Sequence, residues 1–159
     1  MDFKLRINKL GLQPGAKIET RILKDSNFRE MGLVERLLKR MPKGHSVFVA
    51  DNCTIDCFRD QLNLYPCTHG YLHKDRQWQT RATVHLIDGQ IQKVNFQVLE
   101  GVYAAPNFTN TFKDICSENF GHPETTTTNQ YLWKNDRYSF SSLLKADNIN
   151  AEFSIEVLE

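Results

Sequence analysis

Three cysteines and two histidines lie close together in the middle of this sequence. They occupy one window of 21 residues, as Cys53, Cys57, Cys67, His69 and His73. Thiolates and imidazoles are the side chains that zinc binds most readily. Against a zinc site, their spacing matches no common zinc-finger pattern, and a strand at 53–58 would hold the sulfurs of Cys53 and Cys57 apart. If a metal binds, the candidate ligands are Cys57, Cys67, His69 and His73. These residues point to one of two functional predictions for the chain, a protein that binds a small molecule or zinc. A hydrolase is one form that such a protein could take.

The same cysteines raise the question of disulfide bonds. Cys53 and Cys57 are four positions apart, which on a strand is about 13 Å and exceeds the Cα separation of about 7 Å that a disulfide tolerates. A bond between Cys57 and Cys67 is feasible, and fully reduced thiols are the other alternative. Cys116 falls on the apolar stripe of a predicted helix, so we expect it to be a small buried hydrophobic residue.

The segment from 59 to 77 is the longest stretch without a clear hydrophobic period. It interleaves aromatic, histidine and charged side chains, a mixture that is typical of recognition surfaces. The predicted binding residues in it are Tyr65, His69, Tyr71, His73 and Arg76. The alternative is that the segment folds back and its aromatic side chains fill the edge of the core.

The sequence carries no recognised catalytic pattern. It contains no Gly-rich phosphate loop, no His-Glu-x-x-His pair and no Gly-x-Ser-x-Gly turn. A nucleophilic cysteine would need a base, and neither Cys67 with His69 or His73 nor Cys116 with His122 comes with an orienting acid. We therefore predict a protein that is not an enzyme and that needs no cofactor.

Charge and hydropathy exclude further classes of function. The 20 basic and 19 acidic side chains leave a net charge of +1, which gives no global field for a nucleic acid. No run of about 18 apolar residues is present, so no membrane span is predicted. The N-terminus alternates charged and apolar residues instead of forming a signal segment, which favours the cytoplasm. The alternative is a periplasmic or secreted protein from which a leader has been removed.

The first half of the chain shows both strand and helix patterns. Residues 3 to 7 alternate as in a half-buried strand, and residues 16 to 23 fit a strand better than a helix. Asn27 and Glu30 resemble a capping box, and apolar residues follow at helical spacing, so a helix is expected from 28 to 41. Strands at 47–49 and 53–58 should then form a hairpin about an Asp51-Asn52 turn.

The segment from 80 to 99 predicts a hairpin with an irregular register. One set of alternating apolar residues, which includes Val84, lies on the first strand, and a second set, which includes Val94, lies on the second strand. Both sets must face the same core. A two-residue Asp88-Gly89 turn would put these two sets on opposite faces. A three-residue loop that ends in a bulge at Gly89 and pairs Ala82 with Val94 resolves the mismatch, so that loop is the prediction.

The last third predicts a helix at 107–120, an aromatic hairpin and a final strand. Tyr131, Trp133, Tyr138 and Phe140 share one side of the hairpin if residue 134 pairs with residue 137. The strand from 151 to 157 should close the chain against the strand ending near Leu144, with an acidic outer face.

These elements describe one α+β domain over residues 1–159. The prediction is an antiparallel sheet of successive hairpins with two helices on one face. A weak resemblance between residues 1–100 and 101–159 reflects either an internal duplication or a shared architectural solution. The leading functional prediction is a non-enzymatic module, such as an inhibitor or immunity-type protein, that binds another protein of unknown identity. A subunit that assembles through its edge strands is a third interpretation, and the oligomeric state is open.

Overall fold

The computed structural model describes residues 4–7, 10–26, 28–32, 37, 40, 42–58, 61–66, 77–98, 104–127, 129–145 and 150–158. The strands are β1 (Lys4–Ile7), β2 (Leu10–Gly11), β3 (Arg29–Glu30), β4 (His45–Phe58), β5 (Gln61–Pro66), β6 (Gln77–Ile87), β7 (Gln90–Val98), β8 (Glu124–Thr127), β9 (Gln130–Lys134), β10 (Tyr138–Leu144) and β11 (Ala151–Val157). The helices described with bounds are α1 (Thr20–Asp25) and α2 (Ala104–Phe120).

All of these strands belong to one sheet. Its order is β2-β1-β5-β4-β6-β7-β11-β10-β9-β8, with β3 paired to β4 beside this path. The α+β class and the mainly antiparallel sheet are confirmed. One pair departs from the prediction, because β1 runs parallel to β5.

The core lies against one face of the sheet. Alternate residues of the central strands, among them Ala82, Val84, Phe96 and Phe153, are fully buried there. Helix α2 covers this face over β7, β9, β10 and β11. Helix α1 contributes the buried Leu23 to the same cluster, and that both helices cover one face stays a prediction.

Helix α2 is bound to the sheet mainly by aromatic side chains. The Phe112 ring stacks on Phe153 with centroids 4.2 Å apart, and Phe120 stacks on Phe140 at 4.5 Å. Beyond the helix end, the indole N–H of Trp133 donates to the carbonyl of Gly121 over 3.2 Å. The helix predicted at 107–120 is confirmed, and it begins earlier than Asn107. Cys116 is buried, as expected.

The first helix was predicted in the wrong place. A strand was expected over residues 16–23, but residues 20–25 form α1, and residues 28–32 contain β3 instead of a helix start. The reason is that Phe28 and Met31 enter two different buried clusters, on opposite faces of the sheet. Residues three apart share a face on a helix but not on a strand. Leu37 is helical but 68% exposed, and most of the remaining predicted segment lies outside the described residues.

The expected Asp51-Asn52 turn is also wrong, because β4 continues through it. A register shift between Ala50 and Cys53 places two residues of β4 opposite one residue of β6. Without this bulge the Cys53 side chain would lie on the same face of the sheet as Val47 and Val49, away from the main core. The irregularity keeps Ala50 and Cys53 both buried.

A second bulge corrects the β6–β7 hairpin. Asp88 and Gly89 form a two-residue turn with φ of 50° and 80°, the conformation of a type I′ turn. The predicted three-residue loop and the pairing of Ala82 with Val94 are therefore wrong. The register shift instead lies at Gln92, and Ala82 pairs with Phe96. One extra residue was needed to bring both apolar sets to the core, and it is located in the strand.

The C-terminal hairpin keeps its predicted faces in a different register. Lys134 pairs with Ser139 instead of residue 137, and Trp133 pairs with Phe140. A shift of two positions preserves which side chains share a face. The final strand is confirmed against β10, and its other edge pairs with β7.

Candidate functional site

Most residues predicted to bind lie outside the described part of the chain. These are Cys67, His69, Tyr71, His73 and Arg76. The backbone of Cys57 pairs with Leu62, and that of Tyr65 pairs with Thr54. The predicted long loop is in part a strand, because β5 occupies residues 61–66. The zinc set, the Cys57–Cys67 disulfide and the aromatic binding surface all stay predictions.

The described residues show a different candidate site, on the sheet face opposite the core. A cleft of about 400 Å³ opens there above β3, β4, β6, β7 and β11. The outward positions of β6 and β7 form its centre, where Thr83 lies opposite Asn95 and Arg81 lies opposite Gln97. Met31 and Val49 line it as buried apolar residues. The cleft therefore combines an apolar side with hydrogen-bonding and charged groups.

The bulge in β4 positions a charged group at the edge of this cleft. Asp51 lies within the bulge and accepts two hydrogen bonds from the Arg29 guanidinium, at 2.8 and 3.3 Å. The Nε atom of Arg81 lies 3.5 Å from the same carboxylate. Two guanidinium groups therefore share one carboxylate.

This arrangement lowers the pKa of the Asp51 carboxyl below its ordinary value. The hydrogen bond from Arg29 is the largest cause, partial burial acts in the opposite direction, and the charges of Arg29 and Arg81 add to the lowering. A hydrogen bond to the ionised form and nearby positive charge both favour that form. Asp51 is therefore ionised at neutral pH and fixes the position of Arg29.

Several donors around the cleft make no side-chain hydrogen bond to a described residue, although Arg81 lies close to the Asp51 carboxylate. Arg81, Thr83, Lys93 and Gln97 line the cleft, and none of their side chains donates a hydrogen bond to a described residue. The Arg81 side chain is 46% exposed. Asn95, by contrast, donates to the hydroxyl of Ser154 over 2.7 Å. The cleft thus presents donors that can bind an acceptor group of a ligand.

A second cleft of about 220 Å³ continues the first across β11 and β10. The two share Lys93, Asn95 and Glu152. Hydroxyl groups line the second cleft, because Ser154 lies opposite Ser141 and both face outward. The predicted acidic outer face of β11 is present in Glu152 and Glu156, beside Lys93 of β7. Together the two clefts, here called the outer tract, form one polar surface.

Sequence reasoning missed the residues of the outer tract. Arg81 and Thr83 alternate with Ala82 and Val84, so period two alone indicated that they face outward. The pairing of β7 with β11, which joins the two clefts, had no local signal.

The described residues contain no group of three or more histidine, cysteine, aspartate or glutamate side chains that could hold a metal ion. Neither of the two helices described with bounds is long and apolar enough to cross a membrane. In comparisons with protein-family models, curated proteins and solved structures, the chain matches none. Its function must therefore be argued from its own residues.

Proposed function

We propose that this chain is a non-enzymatic protein-binding module of inhibitor or immunity type, which binds its partner through the outer tract and the adjoining segment from Tyr65 to Arg76. One observation carries the proposal: two joined clefts on the sheet face opposite the core present hydrogen-bonding and charged side chains. A small-molecule pocket normally encloses most of its ligand. The half-exposed Arg81 side chain fits an open protein contact better.

The strand register at the start of the aromatic segment supports a surface made of both parts. Tyr65 lies opposite Thr54, and Thr54 lies opposite Gln79 on the other side of β4. Two strand spacings are about 10 Å. The backbone of Tyr65 therefore lies about that distance from Gln79, which is two positions before Arg81 on β6. A partner that covers the cleft edge would reach both.

Site-specific photo-crosslinking in cells that produce the protein tests this proposal. A photoreactive residue replaces Gln97 in the cleft, and the matched control replaces Glu118, which is exposed on α2. We expect a discrete cross-linked protein from position 97 and none from position 118. Equal cross-linking from both positions, or none from either, contradicts the proposal.

The role of the aromatic segment has a separate test. Truncation of Tyr65, Tyr71 and His73 together to alanine should reduce the cross-link yield from position 97. An unchanged yield would show that the partner contacts the outer tract alone.

The zinc-binding alternative is tested by the intact mass of the unreduced protein under native spray conditions. One bound zinc ion would favour Cys57, Cys67, His69 and His73 as ligands, and chelator should then lower the melting temperature. A mass lowered by two hydrogens would indicate a disulfide. The mass of the reduced, metal-free chain leaves the binding module as the better proposal. The cytoplasmic location and the single domain with its weak repeat stay predictions.

A further inference from the structure

The charged side chains around the outer tract already lie next to charges of the opposite sign. They form three groups: Arg29 and Arg81 with Asp51, Lys93 with Glu156 on the neighbouring strand, and Lys145 with Glu152. A carboxylate brought to any of these cations would also meet a carboxylate of the chain, and an ammonium group brought to the anions would meet a cation. The tract therefore favours an uncharged group.

Arg81 presents a planar, half-exposed group in the cleft of about 400 Å³. Its side chain is 46% exposed, although the Asp51 carboxylate lies 3.5 Å from its Nε atom. The face of a guanidinium group stacks on aromatic rings. The aliphatic stem of arginine adds apolar contact area to such a stack. Arg81 thus offers a surface on which a ring can lie.

An apolar side of the cleft lies beside this surface. Val49 is directly opposite Thr83, and Arg81 is two positions from Thr83 along β6. Diagonal neighbours of this kind are about 7–8 Å apart. Val49 and Met31 line the cleft and are almost fully buried, so packing holds them in place. A flat ring on Arg81 therefore also reaches the apolar side.

Polar groups lie next to the same position. Thr83 and Gln97 line the cleft, Gln97 is directly opposite Arg81, and neither side chain hydrogen-bonds to a described residue. Hydroxyl and amide groups both donate and accept hydrogen bonds. A purely apolar side chain would cover them without replacing the water that they bind. Tyrosine combines a flat uncharged ring with a hydroxyl group that can bond to them.

We infer that the outer tract binds a tyrosine side chain of the partner protein, with its ring on Arg81 beside Val49 and its hydroxyl group at Thr83 and Gln97. This inference rests on the proposed function and names the residue by which the partner is anchored. Tyrosine and arginine are among the residues that contribute most to the affinity of protein interfaces. The exposed part of Arg81 supplies the area that the ring would bury.

Titration with N-acetyl-L-tyrosinamide, followed by NMR spectroscopy of the full chain, tests the inference. The matched probes are N-acetyl-L-phenylalaninamide, which lacks the hydroxyl group, and N-acetyl-L-leucinamide, which lacks the ring. The tyrosine probe should shift the methyl resonances of Met31 and Val49 in a saturable way. The phenylalanine probe should bind roughly two- to tenfold more weakly, which is the effect of one hydrogen bond. The leucine probe should not bind, and salt should change the affinity of the tyrosine probe little, because the probe is uncharged.

A pair of arginine variants makes the result specific. Arg81→Lys keeps the positive charge beside Asp51 but removes the planar group, so it should weaken binding of the tyrosine probe roughly two- to fivefold. The matched control is Arg21→Lys on α1, because Arg21 is also exposed and pairs with a carboxylate, that of Glu19 at 2.8 Å. This control should bind the probe as the original chain does. Unchanged amide resonances of α2 in both variants show that each is folded.

The outcomes separate this inference from the proposed function. A tyrosine probe that does not bind, that binds no better than the leucine probe, or that binds equally well after Arg81→Lys overturns the inference. Affinity that falls steeply with salt also overturns it, because the contact would then be ionic. The proposed function still stands in these cases if position 97 cross-links a partner. A tyrosine probe that binds as expected while position 97 cross-links nothing overturns both, because the cleft would then take a free aromatic molecule.

Discussion

Replacement of Phe153 by alanine should remove a large part of the stability of this fold. Phe153 lies on β11, is fully buried, and stacks on Phe112 of α2 with ring centroids 4.2 Å apart and planes 27° apart. Its strand also joins the β6–β7 hairpin to the C-terminal hairpin. The ring therefore lies where α2 and the two parts of the sheet meet.

The expected loss is about 3–5 kcal/mol in the free energy of unfolding. Loss of a buried phenylalanine ring combines the lost transfer free energy with the cost of the cavity that remains. Of this, the stacked pair with Phe112 contributes about 0.5–1.5 kcal/mol beyond the buried area. Total stabilities of about 5–15 kcal/mol are usual, so the alanine variant would keep a fraction of the original.

Urea denaturation followed by circular dichroism measures the effect. Phe153→Leu keeps most of the volume and should lose less than the alanine variant, so it reports on the site even if Phe153→Ala does not fold. Glu156→Gln on the outer face of the same strand should change stability by no more than about 0.5 kcal/mol.

A double-mutant cycle with Phe112→Leu and Phe153→Leu isolates the ring contact. We expect a coupling free energy of about 0.5–1.5 kcal/mol between the two positions. A loss below about 1 kcal/mol for Phe153→Ala, or independent effects of the two leucine substitutions, would refute the packing of α2 on β11 described above.

Three other predictions concern local features. Gly89→Ala should lower the free energy of unfolding by about 1 kcal/mol in urea denaturation, because φ at this position is +80°, although an added Cβ would meet nothing within 4 Å. Asp88→Asn should lower it by less, since asparagine tolerates a positive φ. Equal losses for the two variants would contradict the turn assignment. Asp51→Asn should lower stability at pH 7 by about 0.2–1 kcal/mol, because its ion pairs are half exposed. Because the pKa of Asp51 is lower in the folded than in the unfolded chain, its ion pairs stabilise the fold fully only above the unfolded pKa near 4. The difference in stability between Asp51→Asn and the original chain should therefore vanish as the pH falls through the folded pKa. A difference that stays constant with pH would be evidence against the pairing. The thiols of Cys53 and Cys116 are buried, so a variant with Cys57→Ser and Cys67→Ser should react with a thiol reagent only after unfolding, and fast reaction of the folded protein would disprove their burial.

The local pattern of the sequence determined which residues face the core wherever a strand is regular. Apolar and polar residues alternate in β11 and in residues 81–86 of β6, and burial has the same period as the side chains of a strand. The stripe of α2, with Phe108, Phe112 and Cys116 in the core, is likewise set by residues one helical turn apart. These elements needed no information from distant parts of the chain.

Only the tertiary structure decided where the two bulges lie. It also decided that residues 20–25 form a helix and residues 29–30 a strand, the reverse of the expectation from sequence. The need for an extra residue between β6 and β7 was visible in the pattern, but its location at Gln92 depends on which turn the chain adopts. Phe28 and Met31 suit a helix by spacing, and they form a strand end because each meets a different cluster on opposite faces of the sheet.

The outer tract was the part least accessible to sequence reasoning. Arg29, Asp51 and Arg81 are far apart in the chain, and the β4 bulge and the pairing of β3 with β4 bring them together. The neighbourhood of β7 and β11 likewise joins residues about 60 positions apart. Alternation determines which side of a strand a residue occupies, but the neighbours it meets on that side depend on long-range strand order, which the whole core determines.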